Sequence, residues 1–125
     1  MLDFWATWCG PCKKSFPAMQ QAVNKYKDDP DVAFLFIHTW ETSKTPVADA
    51  TKYLTDNNYS FDVYFDLKDD KGSNPAVTQF GVKGIPAKFI IDPEGSIRFR
   101  GSGFGGGDDE LVAELSAMLD LLKKL

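Results

Sequence analysis

The residues most able to do chemistry are the two cysteines. Cys9 and Cys12 are separated only by Gly10 and Pro11. A single close Cys-x-x-Cys pair serves redox chemistry more often than it staples a fold. One thiolate can attack a disulfide, and the second can then resolve the mixed disulfide that results. The spacing therefore predicts a site for thiol–disulfide exchange.

The pair lies between a strand-like apolar segment and a helical pattern. Residues 3–5 end the strand, residues 6–10 make a turn, and Pro11 suits the first position of a helix, where its missing N–H costs nothing. Unpaired N–H groups and the helix dipole favour negative charge at such a position. We therefore expect the pKa of Cys9 to lie below that of a free cysteine.

Residues 3–17, DFWATWCGPCKKSFP, resemble the active-site segment of thioredoxins. Residues 13–17 are more similar to the secreted or membrane-tethered thioredoxin-like reductases of the TlpA/ResA type. The resemblance implies an α/β, thioredoxin-like fold with a central mixed sheet flanked by helices, an inserted helix–strand unit at about residues 45–65 and a truncated N-terminus. We expect residues 1–125 to form one such domain.

The resemblance also implies proton-handling roles for two carboxyl groups. Asp3 would be the buried acid beneath the disulfide, where burial raises its pKa and lets it accept the proton of Cys12. Glu41 follows a predicted strand and could help to set the acidity of the thiols. The alternatives are an exposed aspartate at a strand end and a solvated loop glutamate.

The residues expected to bind substrate come from two stretches of the chain. Trp8 would shape the rim of the site, and Gly10 and Pro11 form the thioredoxin dipeptide, which favours a reducing function. Ile85 and Pro86 match the loop that carries a cis proline in this family, and the backbone of Ile85 would bind an extended substrate chain. As a pattern alone, the same dipeptide is an ordinary trans turn.

Two positions depart from the family. The lysine that plain thioredoxin keeps near its buried acid is not evident, because the strand concerned reads Phe-Leu-Phe at residues 34–36. Ser15 occupies a position that is often acidic in TlpA/ResA relatives. Both changes would alter the acidity of the thiols. We expect His38, the only histidine, to have a structural role, and Trp5 to lie in the core.

Apolar periodicity predicts the element order β-α-β-α-β-α-β-β-α, which is an α/β sheet ending in an antiparallel hairpin. Pro17 should kink the first helix, because it removes one backbone hydrogen bond. The predicted strands are at about residues 3–5, 32–37, 61–65, 88–91 and 96–100, and the predicted helices are at about 11–27, 45–57, 74–80 and 111–122.

Composition excludes several classes of protein. A net charge of −4 argues against binding of nucleic acid, and no apolar run approaches the length of a membrane span. The histidine and cysteine count falls short of a structural zinc site, so we expect no metal. Residues 101–106 satisfy G-x-G-x-x-G, but a helix ends the chain where a dinucleotide site needs another strand. We interpret them as a flexible link.

The sequence thus predicts a thiol–disulfide oxidoreductase of the TlpA/ResA type, which reduces protein disulfides without a cofactor. Its partners would be a disulfide-bearing protein and an upstream thiol electron donor. We expect an extracytoplasmic location, with an export signal or lipid anchor before Met1 in the full-length protein. The alternatives are a cytosolic enzyme similar to tryparedoxin or nucleoredoxin, and a binding module without turnover.

Overall fold

The structure, a computed structural model, describes residues 1–102 and 107–124. Within these residues strands and helices alternate as the sequence predicts. In chain order they are β1 (Leu2–Trp5), α1 (Gly10–Lys14), α2 (Phe16–Tyr26), β2 (Leu35–His38), α3 (Pro46–Asp56), β3 (Val63–Phe65), α4 (Pro75–Gln79), β4 (Ala87–Ile91), β5 (Ile97–Gly101) and α5 (Asp108–Lys123).

The strands form one mixed sheet in the order β3-β2-β1-β4-β5. β1 and β3 both pair with β2 in parallel, and β4 pairs antiparallel with β1 and β5. The predicted mixed sheet with a terminal antiparallel hairpin is therefore confirmed. β1 lies at the centre, and its four residues are all buried, as expected for a strand covered on both faces.

The two faces of β1 enter two different hydrophobic clusters, because side chains alternate along a strand. Trp5 packs in the larger cluster with Phe16 of α2, and the predicted core position of Trp5 is confirmed. Phe4 packs in the smaller cluster with Phe89 of β4. Burying one such side chain contributes about 1.5–3 kcal/mol. The loop that follows Trp5 and carries the cysteines therefore starts from a firmly packed strand.

The predicted single helix over residues 11–27 is wrong, because the structure divides it into α1 and α2 at Ser15. The N–H of Ser15 turns back to the carbonyls of Pro11 and Cys12, at 3.3 and 3.2 Å. Pro17 then lies in the first turn of α2, where it needs no hydrogen-bond acceptor. The proline thus helps to start a new helix instead of bending an old one.

Two strands are shorter than the apolar runs predicted. β2 begins at Leu35 instead of residue 32. The N–H of Leu35 donates to the Met1 carbonyl at 2.8 Å, and pairing with β1 starts at this residue. β3 begins at Val63 instead of residue 61. The segment at residues 45–65 supplies α3 and the edge strand β3, and its status as an insertion in one domain stays a prediction.

Two further predictions concern the glycine-rich link and the absence of a membrane span. Residues 103–106, most of the predicted glycine-rich link, lie outside the described residues. Among the helices that are described, none is long and apolar enough to span a membrane.

Candidate active site

The two cysteines form a disulfide at the beginning of α1. Their Cα atoms are 5.3 Å apart, and both side chains are buried. Cys9 is the N-cap residue of α1, and its Sγ accepts the N–H of Cys12 at 3.2 Å. A hydrogen-bond donor is thus directed at the sulfur that is expected to become the thiolate. The lowered pKa of reduced Cys9 stays a prediction.

The predicted substrate-binding residues lie on two loops. The Ile85–Pro86 peptide bond is cis, as the resemblance implies. Ile85 packs against both hydrophobic clusters, which anchors the loop before β4. Trp8 is 52% exposed, and its indole N–H donates to the carbonyl of Trp40 at 2.7 Å. An exposed aromatic ring fits the predicted rim position, while substrate contacts by these residues, and by Gly10 and Pro11, stay predictions.

Asp3 is buried, so the alternative of an exposed aspartate is wrong. Burial raises the pKa of Asp3, and the nearby ammonium of Lys88 lowers it less than burial raises it. Lys88 Nζ donates to Asp3 Oδ1 at 3.3 Å and lies 3.2 Å from Oδ2, which has no hydrogen-bond partner of its own. The predicted direction of the pKa shift is therefore confirmed.

Lys88 corrects the expectation that no lysine lies near the buried acid. It comes from β4, where it is the direct cross-strand partner of Asp3, and it is fully buried. Residues 34–36, where the family resemblance implies a lysine, instead lie on the other side of β1, at the start of β2. The sequence does contain a sign of this lysine, since Lys88 starts the otherwise apolar run 88–91. Lysine is almost never fully buried unless it is paired, so a lysine in a buried strand indicates a nearby acid.

Ser15 connects this ion pair to the second cysteine. Lys88 Nζ donates to Ser15 Oγ at 3.1 Å, and the Ser15 hydroxyl donates to the Cys12 carbonyl at 2.8 Å. Cys12 Sγ itself lies 4.0 Å from the Phe4 carbonyl on β1. Ser15 is thus part of a series of polar groups that runs from Asp3 through Lys88 to the backbone of Cys12.

Glu41 lies on the other side of the site, and the alternative of a solvated glutamate is wrong because its side chain is only 5% exposed. Its Oε1 accepts the N–H of Thr7 at 3.0 Å, the hydroxyl of Thr7 at 2.6 Å and Nε2 of His38 at 2.9 Å. Burial raises the pKa of Glu41, but the hydrogen bonds from Thr7 and His38 outweigh it and leave the pKa below its ordinary value. Glu41 is therefore a carboxylate at neutral pH.

His38 is the buried partner of this carboxylate, which agrees with the structural role expected for it. Its ring packs edge-on against Trp5 and Phe65. A carboxylate can only accept hydrogen bonds, so Nε2 of His38 must carry the proton.

The described part of the chain brings together no three histidine, cysteine, aspartate or glutamate side chains that could hold a metal ion. The chemistry available at the site is that of the two sulfurs and the buried groups around them.

Comparison with known proteins bears on the same site. Residues 1–97 match the family described as thioredoxin-like. The thiol-disulfide oxidoreductase ResA of Bacillus thuringiensis subsp. konkukian is 32% identical over 96 residues, which are 77% of this chain and 50% of that protein. The thiol:disulfide interchange protein DsbE of Pasteurella multocida is 36% identical over 103 residues, which are 82% of this chain and 50% of that protein. The chain spans about half the length of these curated relatives.

A solved structure extends the likeness to nearly the whole chain. The pneumococcal exposed lipoprotein thioredoxin of Streptococcus pneumoniae has a TM-score of 0.69 at 25% sequence identity, over 99% of this chain and 82% of that chain.

Proposed function

This chain belongs to the thioredoxin-like family, and we propose that it reduces protein disulfides through the Cys9–Cys12 pair. The observation that carries the proposal is the position of Cys9. Its sulfur caps α1 and accepts the N–H of Cys12, with the resolving cysteine at disulfide distance. Such a hydrogen bond favours the thiolate over the thiol, and the thiolate is the attacking form.

The proposed reaction begins with the reduced pair. The Cys9 thiolate attacks one sulfur of the substrate disulfide, a Cys9–substrate bond forms, and the other substrate sulfur leaves as a thiolate that takes up a proton. Cys12 Sγ then attacks Cys9 Sγ, which closes the Cys9–Cys12 disulfide and releases the second substrate sulfur. Two electrons pass from the protein to its substrate.

Cys12 must lose its proton before it attacks, and Asp3 is the acceptor that we propose. Its raised pKa makes it a better proton acceptor than an ordinary aspartate, and the ammonium of Lys88 stabilises the carboxylate that starts the step. Glu41 suits this task less well, because its pKa is lowered and its Oε1 already accepts three hydrogen bonds.

We further propose that a disulfide-bearing protein is the substrate, that an upstream thiol donor returns the pair to its reduced form, and that the protein works outside the cytoplasm. The substrate chain would dock in extended form along the backbone of Ile85, beside Pro86 and the exposed ring of Trp8. The pneumococcal neighbour is an exposed lipoprotein, which supports the location.

Covalent trapping tests the exchange reaction. Reduced Cys12→Ser protein is mixed with insulin and examined on a non-reducing gel. We expect a dithiothreitol-sensitive adduct, because the serine hydroxyl introduced at position 12 cannot resolve the mixed disulfide, and no adduct with the matched Cys9→Ser variant. Absence of an adduct from both variants would identify a thioredoxin-fold binding module without turnover.

The direction of exchange is tested by the reduction potential of the pair, measured by equilibration with dithiothreitol or glutathione mixtures. A value at or below about −250 mV, near that of thioredoxin, supports a reductase. A value near about −120 mV would describe a donor of disulfides and would contradict the reducing direction.

A further inference from the structure

The loop that carries Cys9 is held from one side by residues 39–41, which we call the clamp segment. This segment directly follows β2, as the cysteine loop directly follows β1. Three hydrogen-bonded links hold the clamp segment against the end of β1 and the cysteine loop: Thr39 N–H to the Trp5 carbonyl of β1 at 2.9 Å, Thr7 N–H and hydroxyl to Glu41 Oε1 at 3.0 and 2.6 Å, and the Trp8 indole N–H to the Trp40 carbonyl at 2.7 Å.

The link through Glu41 is the strongest of the three, because its acceptor is a buried carboxylate. Hydrogen bonds to an ionised acceptor are shorter and about twice as strong as neutral ones. His38 donates to the same oxygen at 2.9 Å, and its ring is enclosed between two aromatic side chains. The carboxylate is thus fixed by the end of β2 and holds Thr7 in turn.

The backbone of the clamp segment carries a sign of the same constraint. Trp40 has a φ of +50°, a left-handed conformation that is unfavourable for a bulky residue. Such conformations persist where the surrounding contacts over-determine them. Here the contacts are the indole of Trp8 on the Trp40 carbonyl and the Thr7 donors on the next side chain.

We propose that Glu41 is a positioning residue, which together with His38 holds Thr7 and thereby fixes the loop that places the Cys9 sulfur against the N–H of Cys12. Thr7 is two residues before Cys9, and the turn between them is closed by the Cys9 N–H on the Ala6 carbonyl at 3.1 Å. Without the hydrogen bonds between Glu41 and Thr7, the Cys9 sulfur accepts the Cys12 N–H for a smaller fraction of the time. The thiolate then loses stabilisation, and the pKa of Cys9 rises.

The inference rests on the proposed function, because it treats Cys9 as the nucleophile, but it assigns Glu41 a different role from proton transfer. A proton acceptor needs a suitable pKa, and the pKa of Glu41 is lowered because its hydrogen bonds outweigh the effect of burial. Glu41 Oε1 instead accepts three hydrogen bonds whose donors lie on the cysteine loop and on β2. That arrangement positions a loop.

The test measures the reactivity of Cys9 itself. In the Cys12→Ser background Cys9 is the only thiol, and its alkylation by iodoacetamide is followed from pH 5 to pH 10. Thr7→Val removes the hydroxyl donor at nearly constant volume. We expect the pKa of Cys9 to rise by about 0.5–1 unit, which is about a three- to tenfold loss of thiolate below the pKa. The limiting rate at high pH should be unchanged.

Thr39→Val is the matched control. Thr39 Oγ1 donates to a carboxylate as well, that of Asp66 at 2.8 Å, but this bond does not touch the cysteine loop. Thr39→Val should therefore leave the pKa of Cys9 unchanged. Thr7→Ser keeps the hydroxyl, so the pKa of Cys9 in this variant should equal that of the protein with Thr7. An equal shift in both valine variants, or none in Thr7→Val, would overturn the proposal.

A second pair of variants keeps the test decisive if Thr7→Val does not fold. Glu41→Ala and Glu41→Gln remove the same charge, but only glutamine retains an acceptor oxygen for Thr7. We expect the pKa of Cys9 to be higher in Glu41→Ala than in Glu41→Gln, and equal values would refute positioning. Because iodoacetamide replaces the protein substrate, these results are independent of the trapping outcome with insulin.

Discussion

Two buried carboxyl side chains are connected by hydrogen bonds to the segment that carries the cysteines, and their pKa values are shifted in opposite directions. Asp3, on the β1–β4 side, has a raised pKa, while Glu41, on the β2 side, has a lowered one. Burial is the largest influence on both groups and pushes both pKa values upward. The difference therefore arises from the hydrogen-bond donors that each carboxylate meets.

The number of those donors decides the sign. Asp3 receives one hydrogen bond, from Lys88, and its Oδ2 has none. Glu41 receives three hydrogen bonds on Oε1 alone. Donors stabilise the ionised form, so a well-bonded carboxylate stays charged in spite of burial, whereas a poorly bonded one remains ready to take up a proton. One side of the site is thus suited to proton transfer, and the other to holding the loop.

The largest expected effect comes from removing the partner of Asp3. Lys88→Met leaves a buried carboxyl group without its cation, and breaking such a pair costs about 3–5 kcal/mol. Urea unfolding at pH 7 measures the loss, which should shrink as the pH falls and Asp3 takes up a proton. The double variant Asp3→Leu with Lys88→Met should recover most of the stability. If it is no more stable than Lys88→Met alone, Asp3 is not the cause.

A smaller effect is expected on the Glu41 side. Glu41→Gln exchanges charge-assisted hydrogen bonds for neutral ones, and we expect a loss of about 1.5–3 kcal/mol at neutral pH. The folded-state pKa lies below the ordinary value of 4.5, so the stability from ionised Glu41 is full above that value and disappears as the pH falls through the folded pKa. Urea unfolding of both proteins should therefore converge in acid.

For Asp3 we expect the free energy of unfolding to depend on pH in the opposite direction. Its folded pKa lies above the ordinary value of 3.8, so its contribution to stability is full below 3.8 and is lost as the pH rises through the folded pKa. Relative to Asp3→Asn, the wild-type protein should lose stability with rising pH over that interval. A gain instead would show that Lys88 outweighs burial and would remove the contrast between the two sides.

The smallest effect on stability should follow from removing the Ser15 hydroxyl, which links Lys88 to the Cys12 carbonyl by hydrogen bonds. Ser15→Ala removes one acceptor of the ammonium and one donor to the Cys12 carbonyl, while the ion pair with Asp3 remains. We expect a loss of about 0.5–1.5 kcal/mol in urea unfolding. Ser60→Ala is the control, because Ser60 makes its hydrogen bonds on the exposed surface. Equal losses in both variants would mean that the buried link is not special.

Much of the site was predictable because its parts are close in the chain. The Cys-x-x-Cys spacing alone places two sulfurs within bonding distance, and the helix after them follows from Pro11 and the apolar periodicity. The cis peptide bond before Pro86 was predicted from the resemblance of its loop and from the elements on either side. The predicted single helix was wrong at Ser15, whose N–H also bonds the Cys12 carbonyl only three residues back, although the helical spacing of apolar residues gives no sign of a break there.

The partners of the two carboxyl groups were not predictable in the same way. Lys88 meets Asp3 only because β4 pairs antiparallel with β1 in one particular register, and a shift of one residue would turn it to the other face. Thr7 meets Glu41 because parallel pairing of β1 with β2 brings the ends of both strands to one edge of the sheet.

The sequence by itself determined the redox chemistry predicted for this protein, namely two cysteines at dithiol spacing at the start of a helix. Local spacing and side-chain periodicity are enough to specify such features, because they act over a few residues. The tertiary structure decided which of the two carboxyl groups has a raised pKa and which has a lowered one. That choice depends on donors 34 and 85 residues away along the chain, which only the register of the sheet brings within hydrogen-bond distance.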